Sequence, residues 1–318
     1  PQGGVVTVRT ALRTPLEPRA GAARAFGPAL LSSLLLAATA CSNDFRPRSV
    51  LADLRVLAIE ASPLEVGPGE SVTLVPRRLA PAGATITEER WFFCPFSIGA
   101  SVGYACAVPE CEVELTDAAG TPSGDRDVGV AVSADPSARA EECLALLTAG
   151  GASLPANVPS SLPQKVDLVF RYLARASDGE SREAVELVPF YPGGAPSPRN
   201  RPPAIASVEI GGQQVVDGGT GPTLAPGAQL EVRVELDPAS ADTYVDDAGR
   251  TLTETPVVSF FTTAGRLDFD RANGPDARVA LKYEEIGAAD VEAEIWAVAT
   301  DLRGGQTVAG PFRIPIGR

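Results

Sequence analysis

Leu230-Glu-Val-Arg-Val-Glu-Leu236 decides the fold. Leu230, Val232, Val234 and Leu236 fall on one face of an extended chain and the charges on the other, which is the alternation of a half-buried antiparallel strand. Pro226-Gly227 supplies a turn just before it, and Ala206-Ser-Val-Glu-Ile210 reads as a strand before that turn. The same series occurs earlier: Leu54-Arg-Val-Leu-Ala-Ile59, then Pro68-Gly-Glu-Ser-Val-Thr-Leu-Val75. An internal repeat follows, and its unit is a set of short strands joined by turns.

The repeat continues toward the C-terminus of each half. Val166-Asp-Leu-Val-Phe-Arg-Tyr-Leu-Ala-Arg-Ala-Ser-Asp178 corresponds to Ala289-Asp-Val-Glu-Ala-Glu-Ile-Trp-Ala-Val-Ala-Thr-Asp301, each followed by a glycine-bearing turn and a last strand, at 184–190 and 308–316. Middle strands are expected at 86–93 and 256–262. This order of strands resembles the bacterial immunoglobulin-like family, including the polycystic-kidney-disease-type modules of surface proteins. The resemblance covers most of 50–192 and 203–318. It implies an all-β chain of two tandem immunoglobulin-like β-sandwiches, with Trp91 as the buried tryptophan of the middle strand; the cysteine pair that joins the two sheets in that family is missing from both units.

The organisation expected is a signal peptide at 1–40, a lipidated tether at 41–50, a first domain at 51–191, a proline-rich linker at 192–202 and a second domain at 203–318. Tyr191-Pro-Gly-Gly-Ala-Pro-Ser-Pro-Arg-Asn-Arg-Pro-Pro203 reads as an extended, semi-rigid, solvent-exposed spacer. Four arginines precede the apolar run at 26–40, which closes on Ala38, Thr39 and Ala40, so it has the parts of a secretory signal. The run is too short to span a bilayer core of about 30 Å. Ala38-Thr-Ala-Cys41 resembles the lipobox of bacterial lipoproteins, although Ala38 stands where that family prefers leucine; the resemblance implies cleavage before Cys41 and lipidation of its thiol. Two or three acyl chains on one residue anchor stably, whereas one holds marginally. Ser42 lacks the aspartate of an inner-membrane retention signal, so the outer membrane is the expected address. An ordinary signal peptide ahead of a chance cysteine is the competing reading. The chain contains no methionine, and its true start is expected to be missing or misassigned.

Between corresponding landmarks the first unit is about 35 residues longer than the second, and this extra chain holds Cys94, Cys106, Cys111 and Cys143. In an oxidising compartment an even set of four reads as two disulfides with three possible connectivities. The expected pairs are Cys106 with Cys111, which is local, and Cys94 with Cys143, which clamps the base of the insertion at 94–143. Zinc is the competing use of four cysteines, but the spacing contains no Cys-x-x-Cys knuckle. Ser137-Ala-Arg-Ala-Glu-Glu-Cys-Leu-Ala-Leu-Leu-Thr-Ala-Gly150 is the one expected helix, capped by Ser137, with Leu144 and Leu147 packing on the sandwich. A ligand-gripping lid is the alternative role for it.

Catalytic chemistry is sparse. The whole chain has no histidine, which removes Ser-His-Asp and Cys-His arrangements and histidine-ligated zinc. Its only lysines, Lys165 and Lys282, fall on expected strands, and no phosphate-binding or dinucleotide loop appears. With 40 acidic against 27 basic residues the net charge is −13, so a nucleic-acid partner is not expected. Asp237, Asp242, Asp246, Asp247 and Glu254 gather in one loop that could hold calcium, yet the spacing fails the EF-hand pattern, and a solvated acidic loop is the ordinary explanation. Trp91, Phe93, Phe261, Tyr283 and Trp296 are expected in the core. No cofactor or metal is implied. The expectation is a non-enzymatic outer-membrane lipoprotein that displays its domains for binding or spacing, facing the periplasm or the cell surface, with an envelope protein or polysaccharide as partner and the insertion as the contact site. The alternative is an envelope hydrolase using paired carboxylates.

Overall fold

Strands make up most of the regular secondary structure among the described residues. The computed structural model describes residues 47–115, 127–149, 164–245, 249–283, 292–301 and 303–317, and within 136–149 it leaves aside the side chains of Leu144 and of residues 146–149. Cys41 and the signal segment, most of the tether, Asp246, Asp247 and the Leu144 and Leu147 contacts therefore lie outside the described residues.

The first repeat contains β1 (Arg55–Ser62), β2 (Val72–Leu79), β3 (Ile86–Cys94), β4 (Val113–Glu114), β5 (Val132–Ala134), a helix α1 (Pro136–Ala149), β6 (Val166–Ala176) and β7 (Ser181–Phe190). The second contains β8 (Ile205–Ile210), β9 (Gln213–Gln214), β10 (Gln229–Leu236), β11 (Thr243–Val245), β12 (Thr251–Thr253), β13 (Val257–Thr262), β14 (Arg266–Leu267), β15 (Arg271–Asn273), β16 (Asp276–Lys282), β17 (Glu292–Thr300) and β18 (Gln306–Pro315). Sheets β1-β2-β5 and β4-β3-β6-β7 form the first sandwich; β14-β16-β10-β8-β9 and β15-β13-β17-β18 form the second. Both repeats thus place their first two strands and a late strand in one sheet, and their middle strand and final hairpin in the other. The expected middle and final strands are present, while β5 and β16, which complete the opposing sheets, have no counterpart among the expected strands.

Each sandwich has its own core. Leu54, Ile59, Val72, Leu74, Trp91, Phe93, Phe170, Tyr172 and Val188 fill the first; Ile210, Val232, Val234, Phe260, Leu281, Ile295, Phe312 and Ile314 are among those filling the second. Trp91 lies opposite Tyr172 and Phe93 opposite Phe170 across β3 and β6, with each pair of ring centroids 5.0 Å apart. Such cross-strand aromatic pairs fix register as well as adding contact. The first core also encloses an ion pair, Arg78 to Glu89 at 3.3 Å. Glu89 further accepts from Val130 N at 3.0 Å and from the Tyr172 hydroxyl. Burial, and then the Glu89 carboxylate, push the Tyr172 hydroxyl well above its ordinary pKa, so it stays a donor.

The two sandwiches belong to one compact unit, 47–318. Along β17 the residues facing the second core alternate with Glu294, Trp296 and Val298, yet these are buried as well. The first sandwich covers them: Leu51 and Leu79 join Trp296 in a third apolar cluster, with Leu57, Phe261 and Val308 packed around it. Trp296 and Phe261 thus sit between the sandwiches rather than inside the second. The chain N-terminal to β1 is held there too, since Leu51 N donates to Thr262 O at 2.8 Å and Thr262 N donates to Ser49 O at 2.8 Å. Residues 49–51 are therefore a docked edge rather than a free tether, because the last turn of β13 leaves backbone groups that they satisfy.

Candidate functional site

The insertion is a structured appendage with a small core of its own. After β3 the chain doubles back: Ile98 N donates to Ala105 O at 3.0 Å, and Ala107 N to Phe96 O at 2.6 Å. Backbone register sets Cys106 opposite Ser97, at the base of the hairpin near Cys94, and Cys94 and Cys106 form the first disulfide, with 5.6 Å between their Cα atoms. A single 3-10 turn at Pro109–Cys111 then turns Cys111 toward α1, where it pairs with Cys143 across 5.1 Å. The expected pairing of Cys106 with Cys111 and Cys94 with Cys143 is thus incorrect: the 96–107 hairpin, not proximity in sequence, chooses the partner of Cys106. Val108, Cys111 and Cys143 are buried together with Phe96, Cys106 and Ala107 against them.

Helix α1 begins two residues earlier than its serine suggests. Asp135 is the cap, its carboxylate accepting from Ser137 N at 2.9 Å and Ala138 N at 3.3 Å. Ser137 instead turns its hydroxyl to Gly69 N, 3.2 Å away, so the helix is pinned to the Pro68-Gly69 turn at one end and to Cys111 further along. Aspartate caps as well as serine does, and the proline at the first helical position follows it naturally.

At the tip of the hairpin, Gly99, Gly103 and Tyr104 all adopt positive φ, at 94°, 67° and 56°. For tyrosine this is an uncommon conformation; Tyr104 N donates back to Gly99 O at 3.0 Å, which closes the turn around it. The same tip leaves Ile98 and Val102 about half exposed, at 48% and 50%. Two exposed apolar side chains thus stand on a tightly turned loop that a disulfide holds at its base.

The acids take different places from those a loop of free carboxylates would give. Asp237 caps a 3-10 turn by accepting from Ala239 N at 2.9 Å, and Asp242 meets Arg201 at 3.4 Å. Glu254 is buried, bound by Arg303, and accepts from Asp242 N at 3.2 Å. No cluster of three potential metal ligands exists among the described residues.

The larger acid cluster lies where the proline-rich segment passes between the sandwiches. Glu65 accepts from Asn200 N at 2.8 Å and from the Tyr191 hydroxyl at 3.1 Å. The Asn200 amide donates to Asp301 at 2.8 Å and accepts from Arg303, while Asp301 also accepts from Arg303 N at 2.7 Å and Gly305 N at 2.8 Å. Asn200 is buried. The expected exposed spacer is therefore threaded through a polar latch; its prolines preclude ladder pairing, but side-chain carboxylates satisfy the one N–H that is enclosed. Beside it, Glu186 projects from β7 opposite Phe170 and accepts from Gln306 Nε2 at 3.2 Å. Burial, and then the Asp301 charge, push its carboxyl up to about 8.

Glu186 and Asp301 are the pair that sequence reasoning could not nominate. They are 4% and 2% exposed, and Asp301 spends its oxygens on internal donors. That is the chemistry of a joint between two bodies.

Both units are β-sandwiches of two antiparallel sheets. No family model matches the chain, and no curated protein matches it. Among solved structures it is similar to the N-terminal Ig1-2 module of the Drosophila receptor protein tyrosine phosphatase DLAR, with 9% identity over 84% of this chain and 100% of that one and a TM-score of 0.25. Fibronectin(III)-like modules of Clostridium thermocellum CbhA match at 9% identity over 83% of this chain and 94% of that one, TM-score 0.23. The D00-D0 domain of Intimin matches at 14% identity over 84% and 99%, TM-score 0.20.

Proposed function

We propose that the chain is a non-enzymatic lipoprotein of the outer membrane, anchored at Cys41, whose paired sandwiches act as one rigid block presenting the disulfide-held hairpin to an envelope partner. The anchor rests on the resemblance of Ala38-Thr-Ala-Cys41 to a lipobox. The observation that carries the binding role is the pair Ile98 and Val102, exposed on a loop that Cys94–Cys106 and the positive-φ turn hold in one shape. A preformed loop binds with little ordering cost. The buried acids favour this reading over a carboxylate hydrolase, since Glu186 and Asp301 face each other's sandwich and not solvent.

Two arms test it in cells. Fatty-acid labelling should mark the wild type and not Cys41→Ala. A photo-crosslinking residue at position 98 or 102 should give a discrete adduct with an envelope protein or with cell-wall polysaccharide, whereas one at exposed Val216 should not. Equal labelling of both chains removes the anchor; equal crosslinking at 102 and 216 removes the contact site.

A further inference from the structure

We propose that the second sandwich makes a direct contact with the bilayer surface through Phe269 and the cross-strand pair Arg266 and Lys282, next to the point where the anchored chain joins the body. The inference rests on the Cys41 anchor proposed above. Its starting point is the chain path. Cys41 precedes Pro47 by six residues, which span at most about 22 Å when fully extended. From Pro47 the chain makes one turn, closed by Val50 N donating to Pro47 O at 3.0 Å, and within it the Ser49 carbonyl is taken by Thr262 N. The adjacent donor on the same side of β13 is Phe260 N, two residues away and therefore about 7 Å along the strand; it donates to Asp270 O at 2.9 Å. The segment that leads to the anchor and the turn carrying Phe269 are thus successive neighbours along one sheet edge.

Phe269 is 68% exposed, and among the described residues it is the sole aromatic of the strongly exposed apolar side chains; the others are Ile98, Val102, Val216 and Val245. A phenylalanine side chain is favourable at the boundary between headgroups and acyl chains. Three residues before it, Arg266 lies directly across from Lys282. Like charges in register repel, and neither forms an ion pair with a described acid. Both line a cleft of about 260 Å³ with Leu267 and Asp268. The Asp268 carboxylate is engaged by Phe269 N at 2.9 Å and Ala280 N at 2.7 Å, so it holds the turn. Exposed Arg48 and Arg271 flank the same edge. On a chain with net charge −13, Arg48, Arg266, Arg271 and Lys282 outnumber Asp268 and Asp270, which stand on either side of Phe269, and this local excess of cations beside a bare aromatic matches a surface of lipid phosphates over hydrocarbon.

The test uses the full lipidated chain in vesicles containing phosphatidylglycerol. In Phe269→Cys the introduced thiol is the one cysteine that is neither lipidated nor disulfide-bonded, and it takes a spin label at an exposed site without disturbing the core. The ratio of oxygen to water-soluble nickel-chelate collision rates at 269 should exceed that at Val245→Cys by at least fivefold. In an Arg266→Glu, Lys282→Glu background the ratio at 269 should fall to the value at 245. Equal ratios at 269 and 245 in protein that remains membrane-bound overturn the contact and leave the anchor standing; a chain that never enters the membrane fraction takes down the anchor reading itself.

Discussion

Glu186 should make the stability of this protein fall as pH rises. Its carboxyl is enclosed between the sandwiches, where burial and then Asp301 raise it from an ordinary 4.5 to about 8. Below pH 4.5 the folded and unfolded chains both hold the proton. Between pH 4.5 and 8 the unfolded chain releases it while the folded chain retains it, so each step upward favours unfolding; above pH 8 both are ionised and the loss is complete. At about 1.4 kcal/mol per tenfold difference in proton affinity, the full effect is about 5 kcal/mol, a large share of the 5–15 kcal/mol typical of a folded domain. Glu186→Gln keeps the shape and the acceptor for Gln306 while removing the titration. Urea melts of the oxidised chain starting at Ser42, taken from pH 4 to pH 9, should show the variant gaining on the wild type throughout that range, with a difference of about 5 kcal/mol at pH 9 and little at pH 4. Parallel pH profiles would refute the argument and place Glu186 in contact with water.

Non-reducing peptide mapping should recover Cys94 with Cys106 and Cys111 with Cys143; loop closure implies about 3 and about 4 kcal/mol respectively for sequence separations of 12 and 32, and a recovered Cys106–Cys111 peptide would contradict the hairpin. Glu89→Gln strips the charge that pairs with buried Arg78, and chemical denaturation should report a loss of about 3–5 kcal/mol, whereas an unchanged midpoint would mean that water reaches the pair. Trp296→Ala opens the cluster with Leu51 and Leu79 and should cost about 3–5 kcal/mol, with hydrogen exchange accelerating at Leu51 and Thr262; a loss confined to the second sandwich would deny the shared cluster.

Strand alternation was legible because each sandwich buries one face of most strands, and period 2 in Leu230–Leu236 says so directly. The association of the sandwiches was also written, in a pattern easy to misread. Ile295-Trp-Ala-Val-Ala299 does not alternate, and a strand whose residues are apolar at every position buries both faces. Trp296 is buried as expected, in the cluster between the sandwiches rather than inside the second. Disulfide pairing was not legible, since it depends on hydrogen-bond register across 96–107, which four cysteine positions do not encode. The helix cap was: Asp135-Pro136 carries the stronger start signal, and Ser137 diverts attention from it. The polar latch could not be found from composition, because Glu65, Glu186, Asn200 and Asp301 come from four separate segments.

The central claim is that the two sandwiches form one block rather than two beads on a stiff thread. Small-angle X-ray scattering of the oxidised chain from Ser42 measures this most directly. A compact body of about 270 residues has a radius of gyration near 19 Å, whereas two sandwiches of half that size about 40 Å apart give roughly 24 Å. The packing of Trp296, Leu79 and Leu51, with Asn200 held between Glu65 and Asp301, predicts a value near 19 Å that is insensitive to salt. A radius near 24 Å, with a two-lobed distance distribution, would contradict it.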